Sequence, residues 1–152
     1  MAKFLCFAAL ILTAFLAVSD ASQQVITVKG QLTCGNKPTT SKDTWVALLN
    51  KRTGFDDKEE KPVNDDGTYS ITLQVDRWFS LTPELHIYTD CNDEKLGIDK
   101  GCQRKWKIKI PDDYVGSPSN PKQPYDAGRY NMESKLPDED RDCSIKRSWN
   151  GR

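Results

Sequence analysis

Residues 68–75 (TYSITLQV) place Tyr69, Ile71, Leu73 and Val75 on one side and Ser70, Thr72 and Gln74 on the other. Strict period two forces an extended strand, because successive side chains of a strand point to opposite faces and a helix would scatter them. Residues 24–33 (QVITVKGQLT) repeat the pattern with Ile26, Val28, Gly30 and Leu32 against Thr27, Lys29 and Gln31. So does residues 102–110, where Trp106, Ile108 and Ile110 alternate with Lys105, Lys107 and Lys109. A chain written this way buries one face of each strand against a second layer, which makes it an all-β sandwich. Residues 44–51 and 84–91 supply two more strands, the latter with His86 and Tyr88 on its outward side, and residues 128–136 a last one. Asn64-Asp65-Asp66-Gly67 is a turn, since Gly and Asx tolerate left-handed backbone. The polar, acidic residues 52–66, the residues 92–101 and the Ser/Pro/Asn-rich residues 116–124 read as loops, Pro111 stops a strand, and a short helix fits only near residues 75–81. Trp106, Ile108 and Ile110 are expected in the core and His86 on the surface.

The two ends of the chain are read separately. Residues 1–19 (MAKFLCFAALILTAFLAVS) carry Lys3 before an apolar run from Phe4 to Val18. Ser19 and Ala21 are small residues at the positions a signal peptidase requires for cleavage before Ser22. The run is shorter than the ~20 apolar residues a membrane-spanning helix needs. Residues 1–21 are therefore expected to be a secretory signal peptide, residues 22–143 one domain, and residues 144–152 a flexible basic tail. The expected localisation is secreted and extracellular.

The full chain has 22 basic and 22 acidic residues. The leader removes Lys3 and Asp20, one of each sign, so the balance stays neutral. That excludes a general nucleic-acid binder, which needs a basic excess. Four cysteines remain beyond the leader: Cys34, Cys91, Cys102 and Cys143. An even number in an oxidising compartment reads as two disulfides. Their wide spacing and the single histidine argue against zinc, and no N-glycosylation sequon occurs. The acidic stretches 56–60 and 90–94 lack the ligand spacing of a calcium loop and read as solvated charge. No metal and no cofactor is expected.

The segments VKGQLTCGNKP, NDDGTYSI, LHIYTDCND, CQRKWKIKIPDDYV, YDAGRYNMES and EDRDC, in this order, closely resemble the nematode transthyretin-like family. The resemblance runs from Val25 to Cys143, and the four cysteines fall at the family's positions. It implies a secreted, transthyretin-like Greek-key β-sandwich of about seven strands. Four cysteines allow three connectivities. With Cys91 ending one strand and Cys102 beginning the next, the expected pairs are Cys91–Cys102 and Cys34–Cys143.

Relatives of transthyretin also include 5-hydroxyisourate hydrolases, which resemblance associates with several histidines, an arginine and a Tyr-Arg-Gly-Ser end. This chain has only His86 and ends Trp149-Asn150-Gly151-Arg152, so no enzyme is expected. Hormone carriage does not follow from fold alone. Two functions remain. One is an interaction module that binds a cell-surface receptor or host protein. The other is recognition of an anionic lipid head group, such as phosphatidylserine, by a basic strip of Arg104, Lys105, Lys107 and Lys109. The same lysines also read as a solvated strand face that discourages edge-to-edge pairing.

Overall fold

A computed structural model describes residues 23–51, 57–76, 80–93 and 102–143. Among the described residues, nine strands form two sheets. They are β1 Gln23–Cys34, β2 Lys37–Pro38, β3 Thr44–Asn50, β4 Asp57–Pro62, β5 Thr68–Asp76, β6 Pro83–Thr89, β7 Gln103–Lys109, β8 Tyr125–Asn131 and β9 Asp140–Asp142. The first sheet runs β2-β1-β5, with β8 parallel to β1; the second runs β4-β3-β6-β7-β9. The first sheet's Ile26, Val28, Leu32, Ile71 and Leu73 meet Val46, Leu48, Leu85 and Ile87 of the second, all nearly inaccessible to solvent. This inter-sheet layer is the core, and the alternation read in the sequence selects its members.

Two glycines are fixed by what surrounds them. A Cβ on Gly30 would lie 2.5 Å from the Tyr69 hydroxyl, so the end of the tyrosine ring approaches β1 this closely only because Gly30 has no side chain. Gly67 ends the turn before β5 at φ +76°, and a Cβ there would meet the Leu32 carbonyl oxygen at 2.1 Å.

The structure corrects several expectations. Residues 57–62 are a strand, not a loop: Asp57–Pro62 pairs antiparallel with β3. Its charges belong to an edge, where burial is not required. The strand expected over 128–136 begins earlier, at Tyr125, and ends at Asn131. The charged stretch after it contains β9, which pairs with β7. The helix considered near 75–81 falls partly on residues 77–79, outside the described residues; β5 itself continues to Asp76. The expected signal peptide, residues 1–21, and the expected tail, residues 144–152, also lie outside the described residues.

The disulfide pairing is overturned. The bonds are Cys34–Cys91 and Cys102–Cys143. The reason is pairing between strands. β9 runs beside the start of β7, with Gln103 opposite Asp142, so Cys102 and Cys143 stand 4.0 Å apart at Cα. Cys91, just past β6, meets Cys34 at the end of β1 with Cα atoms 5.8 Å apart, and this bond ties the two sheets together.

Candidate functional site

The outward face of the five-stranded sheet is the candidate site. Register lines its side chains up in rows across the strands. Trp45, Tyr88 and Lys105 form one row, Ala47, His86 and Lys107 the next, and Leu49, Glu84 and Lys109 the third. Trp45, Ala47, Leu49 and Tyr88 are a second apolar cluster on the side of the sheet opposite the core. Trp45 and Tyr88 stack with ring centroids 5.9 Å apart and planes 17° from parallel.

The four residues of the expected basic strip separate. Arg104 shares its phase with Trp106 and Ile108, so it points to the other face from the lysines. It is buried, and its guanidinium spends all its donors inside the protein. Nε and Nη2 each donate to Glu139 at 2.6 Å; Nη1 donates to the carbonyls of Cys91 and Met132, and Nη2 also to that of Ser134. The Glu139 hydrogen bonds raise the arginine's pKa, and Arg104 holds the Glu139 carboxyl below the usual range. Arg104 is thus a structural residue and leaves the strip. Its inward turn follows from alternation already visible in QRKWKIK; only Glu139, 35 residues away, could not be assigned to it.

Lys105 is half-engaged. Its ammonium lies 3.3 Å from Asp142 and 5.3 Å from the centroid of Tyr88. Burial alone would lower its pKa, but Tyr88 and the Asp142 hydrogen bond outweigh that and raise it. Lys107 and Lys109 are exposed, and no described residue pairs with either. β9 pairs only with Gln103–Lys105, so among the described residues no strand lies beside the half of β7 that carries them.

His86 departs from expectation. Its phase is outward, yet it is 1% exposed, enclosed by its row neighbours Ala47 and Lys107 and by Tyr88. Nε2 lies 3.1 Å from Glu84 Oε2, and Nδ1 has no hydrogen-bond partner in the structure. Burial pushes its pKa down, and Lys105 and Lys51 add to that, so the neutral imidazole is favoured against the pull of Glu84. Trp45 and Tyr88 also escaped the sequence reading of the site. The signal was available: Trp45, Ala47 and Leu49 occupy the opposite phase of β3 from the core residues Val46 and Leu48.

At the other end of the sandwich, Asp43, Asp90, Asp93 and Glu133 border an open hollow of about 750 Å³ beside the Cys34–Cys91 bond. Asp93 accepts a hydrogen bond from Arg141 at 2.9 Å, so one of these acids is already neutralised. Among the described residues, no three His, Cys, Asp or Glu side chains converge to hold a metal ion.

Comparison with known proteins adds to this geometry. Residues 29–111 match the model of the transthyretin-like family. The chain is 37% identical to transthyretin-like protein 5 of Caenorhabditis elegans over 119 residues, covering 76% of this chain and 81% of that protein. It is 33% identical to transthyretin-like protein 33 of the same nematode over 146 residues, covering 94% and 98%.

Proposed function

The chain belongs to the transthyretin-like family, and from that premise we propose that it is a secreted interaction module that binds a protein partner at a cell surface through the outward face of its five-stranded sheet. The observation that carries this reading is the pair Lys107 and Lys109, exposed cations two residues apart on the outward face of β7, with Lys107 in the row of the buried His86 and Lys109 in that of Glu84. Two exposed ammonium groups on one face of a strand favour a partner surface that carries carboxylates. Two disulfides among the described residues and the leader-like N-terminus support an extracellular setting.

The lipid alternative is weighed by magnitude. Each Lys or Arg near an anionic membrane contributes ~1 kcal/mol. With Arg104 buried and Lys105 tied to Asp142, the four expected cations fall to two. Two contribute ~2 kcal/mol, roughly a 30-fold preference, which is weak for a soluble domain.

One experiment separates the readings. The disulfide-intact protein is sedimented with neutral and with phosphatidylserine-containing liposomes at low and physiological salt. In parallel its binding is measured to intact C. elegans cells, before and after surface proteolysis. We expect no sedimentation at physiological salt, and saturable, protease-sensitive cell binding that falls about tenfold in Lys107→Glu/Lys109→Glu. Anionic-specific sedimentation at physiological salt, lost in the Lys105/Lys107/Lys109→Ala variant, would replace this reading with the lipid one.

A further inference from the structure

The half of β7 beyond β9 has no neighbouring strand on one side among the described residues, and its backbone groups there can be named. In an antiparallel strand a residue's N–H and C=O point the same way, and the direction alternates along the chain. Ile110, just past β7, donates its amide to the Pro83 carbonyl at 3.0 Å, so the even-numbered residues of this strand face β6. Gln103, Lys105, Lys107 and Lys109 face the other way. β9 stands opposite the first two, with Asp140 across from Lys105. Asp138, at φ +54°, lies in the turn that leads into β9, so the pairing starts only at Asp140. Among the described residues, no hydrogen bond reaches the N–H or C=O of Lys107 or Lys109.

The side chains along this edge sort by phase. Lys107 and Lys109 are exposed on the outward face. Trp106 and Ile108 have the core phase, yet both are only half-buried, whereas Val46, Leu48, Leu85 and Ile87 of the neighbouring strands are inaccessible. Tyr130 of β8 packs edge-on against Trp106, with ring centroids 4.7 Å apart and planes at 74°, and is itself half-buried. Apolar surface is therefore left open on the inner side of the same four residues whose backbone lacks a neighbour. Glu84, the row neighbour of Lys109 on β6, is directed at His86 Nε2, 3.1 Å away, and leaves the lysine unpaired.

We propose that residues 106–109 take an extended acidic segment of a protein partner as an added strand, an inference that deepens the partner reading above and rests on it. Residues directly opposite one another in a ladder point to the same face. The segment's residues opposite Lys107 and Lys109 are therefore outward, where their carboxylates meet the two ammonium groups. The same residues supply the N–H and C=O groups that complete the ladder. The residues between them turn inward and are apolar, meeting Trp106, Ile108 and Tyr130. Lysine on an open edge also discourages nonspecific pairing. The two roles agree, because the charge selects by sign. A second copy pairing antiparallel through β7 about Ile108 sets Lys107 against Lys109, which like charge disfavours, whereas an acidic strand is attracted.

The test titrates the disulfide-intact wild-type protein with the blocked pentapeptide Glu-Val-Glu-Val-Glu at physiological salt. Calorimetry reads affinity, and amide hydrogen exchange reads β7. In the free protein the Lys107 and Lys109 amides should exchange faster than those of Trp106 and Ile108, and saturating peptide should slow them. N-methylation of the glutamates removes the N–H groups that face β7 and should abolish binding. N-methylation of the valines, whose N–H groups face solvent, should leave it intact. Affinity for the unmodified peptide should fall about tenfold in Lys107→Glu/Lys109→Glu, with circular dichroism checking that this variant keeps the wild-type fold. Equal binding of the two N-methylated peptides would reduce the contact to charge and overturn the added strand, as would no binding of the unmodified peptide to the wild type. Dimerisation of the free protein with slow exchange at Lys107 and Lys109 would make a second copy the occupant and overturn it too. Cell binding of the same preparation keeps the two readings apart. Cell binding without peptide binding overturns the added strand alone, and loss of cell binding overturns the partner reading that the strand serves.

Discussion

An arginine has five N–H donors, and Arg104 commits all of them to partners that other elements deliver. Cys91 follows β6, Met132 and Ser134 follow β8, and Glu139 precedes β9. Lysine cannot reproduce this, since it offers three donors on a single nitrogen and lacks the planar fork that grips both carboxylate oxygens. Arg104→Ala leaves Glu139 and three carbonyls without their buried cation, which costs about 3–5 kcal/mol. Urea denaturation should show Arg104→Lys losing stability too, though less. Arg104→Met/Glu139→Leu should recover much of it, because an apolar pair strands no charge. A double variant as unstable as Arg104→Ala would show that the carbonyl contacts, not the ion pair, dominate. The position was legible in the sequence as an inward-phase residue of β7; its chemistry was not, because a buried arginine is explained only by the carboxylate that meets it.

At the scale of the strand, β7 illustrates how far alternation reaches. QRKWKIK assigns each side chain to a face, and the structure respects that assignment from Gln103 to Lys109. β4 and β9 were not legible for opposite reasons. DKEEKP is charged on both phases, as an edge strand can be, so it has no apolar stripe to detect. DRD is three residues long, too short for any period to show. The outward row of β6 and β7 carries a pH prediction through His86. Burial lowers its folded-state pKa below the ordinary value near 6.5, so the unfolded chain takes up the proton first. Stability is therefore fully present above about pH 6.5 and declines as pH falls from there toward the folded value. The described charges facing the ring are Glu84 on its own strand, Lys105 and Lys107 on β7, Glu60 on β4 and Lys51 after β3. Melting temperatures of the wild type and His86→Gln, measured from pH 7.5 to 5, should converge in slope only if His86 carries none of the decline. We expect a shallower slope in the variant over that range. Glu139, whose pKa is also lowered, adds a further decline at more acidic pH, as it falls through the carboxylate range, that His86→Gln leaves in place.

At the scale of the whole molecule, the two disulfides do different work. Cys34–Cys91 spans 57 residues and bolts one sheet to the other, whereas Cys102–Cys143 spans 41 and holds a three-residue strand to its neighbour. In the chain-entropy picture each restricts the unfolded chain by about 4 kcal/mol. Their structural consequences differ more than their energies. Mass mapping of unreduced proteolytic fragments should find these two linkages and not Cys91–Cys102. Cys102→Ala/Cys143→Ala should speed amide exchange at Lys105, whose strand partner is Asp140, while the inter-sheet core around Val46 and Leu85 stays protected. Loss of protection throughout would show that β9 is integral to the cooperative unit. The sequence by itself determined that this chain is a β-sandwich and which phase of its strands meets the core, because period two and turn chemistry act between near neighbours and need no knowledge of the rest. It also carried the family resemblance. Only the tertiary structure decided which cysteines pair, why Arg104 is buried, and that His86 is enclosed on an outward face. Those depend on which strands lie side by side and which sheet each edge strand joins, and such long-range neighbours leave no periodic mark in a single chain.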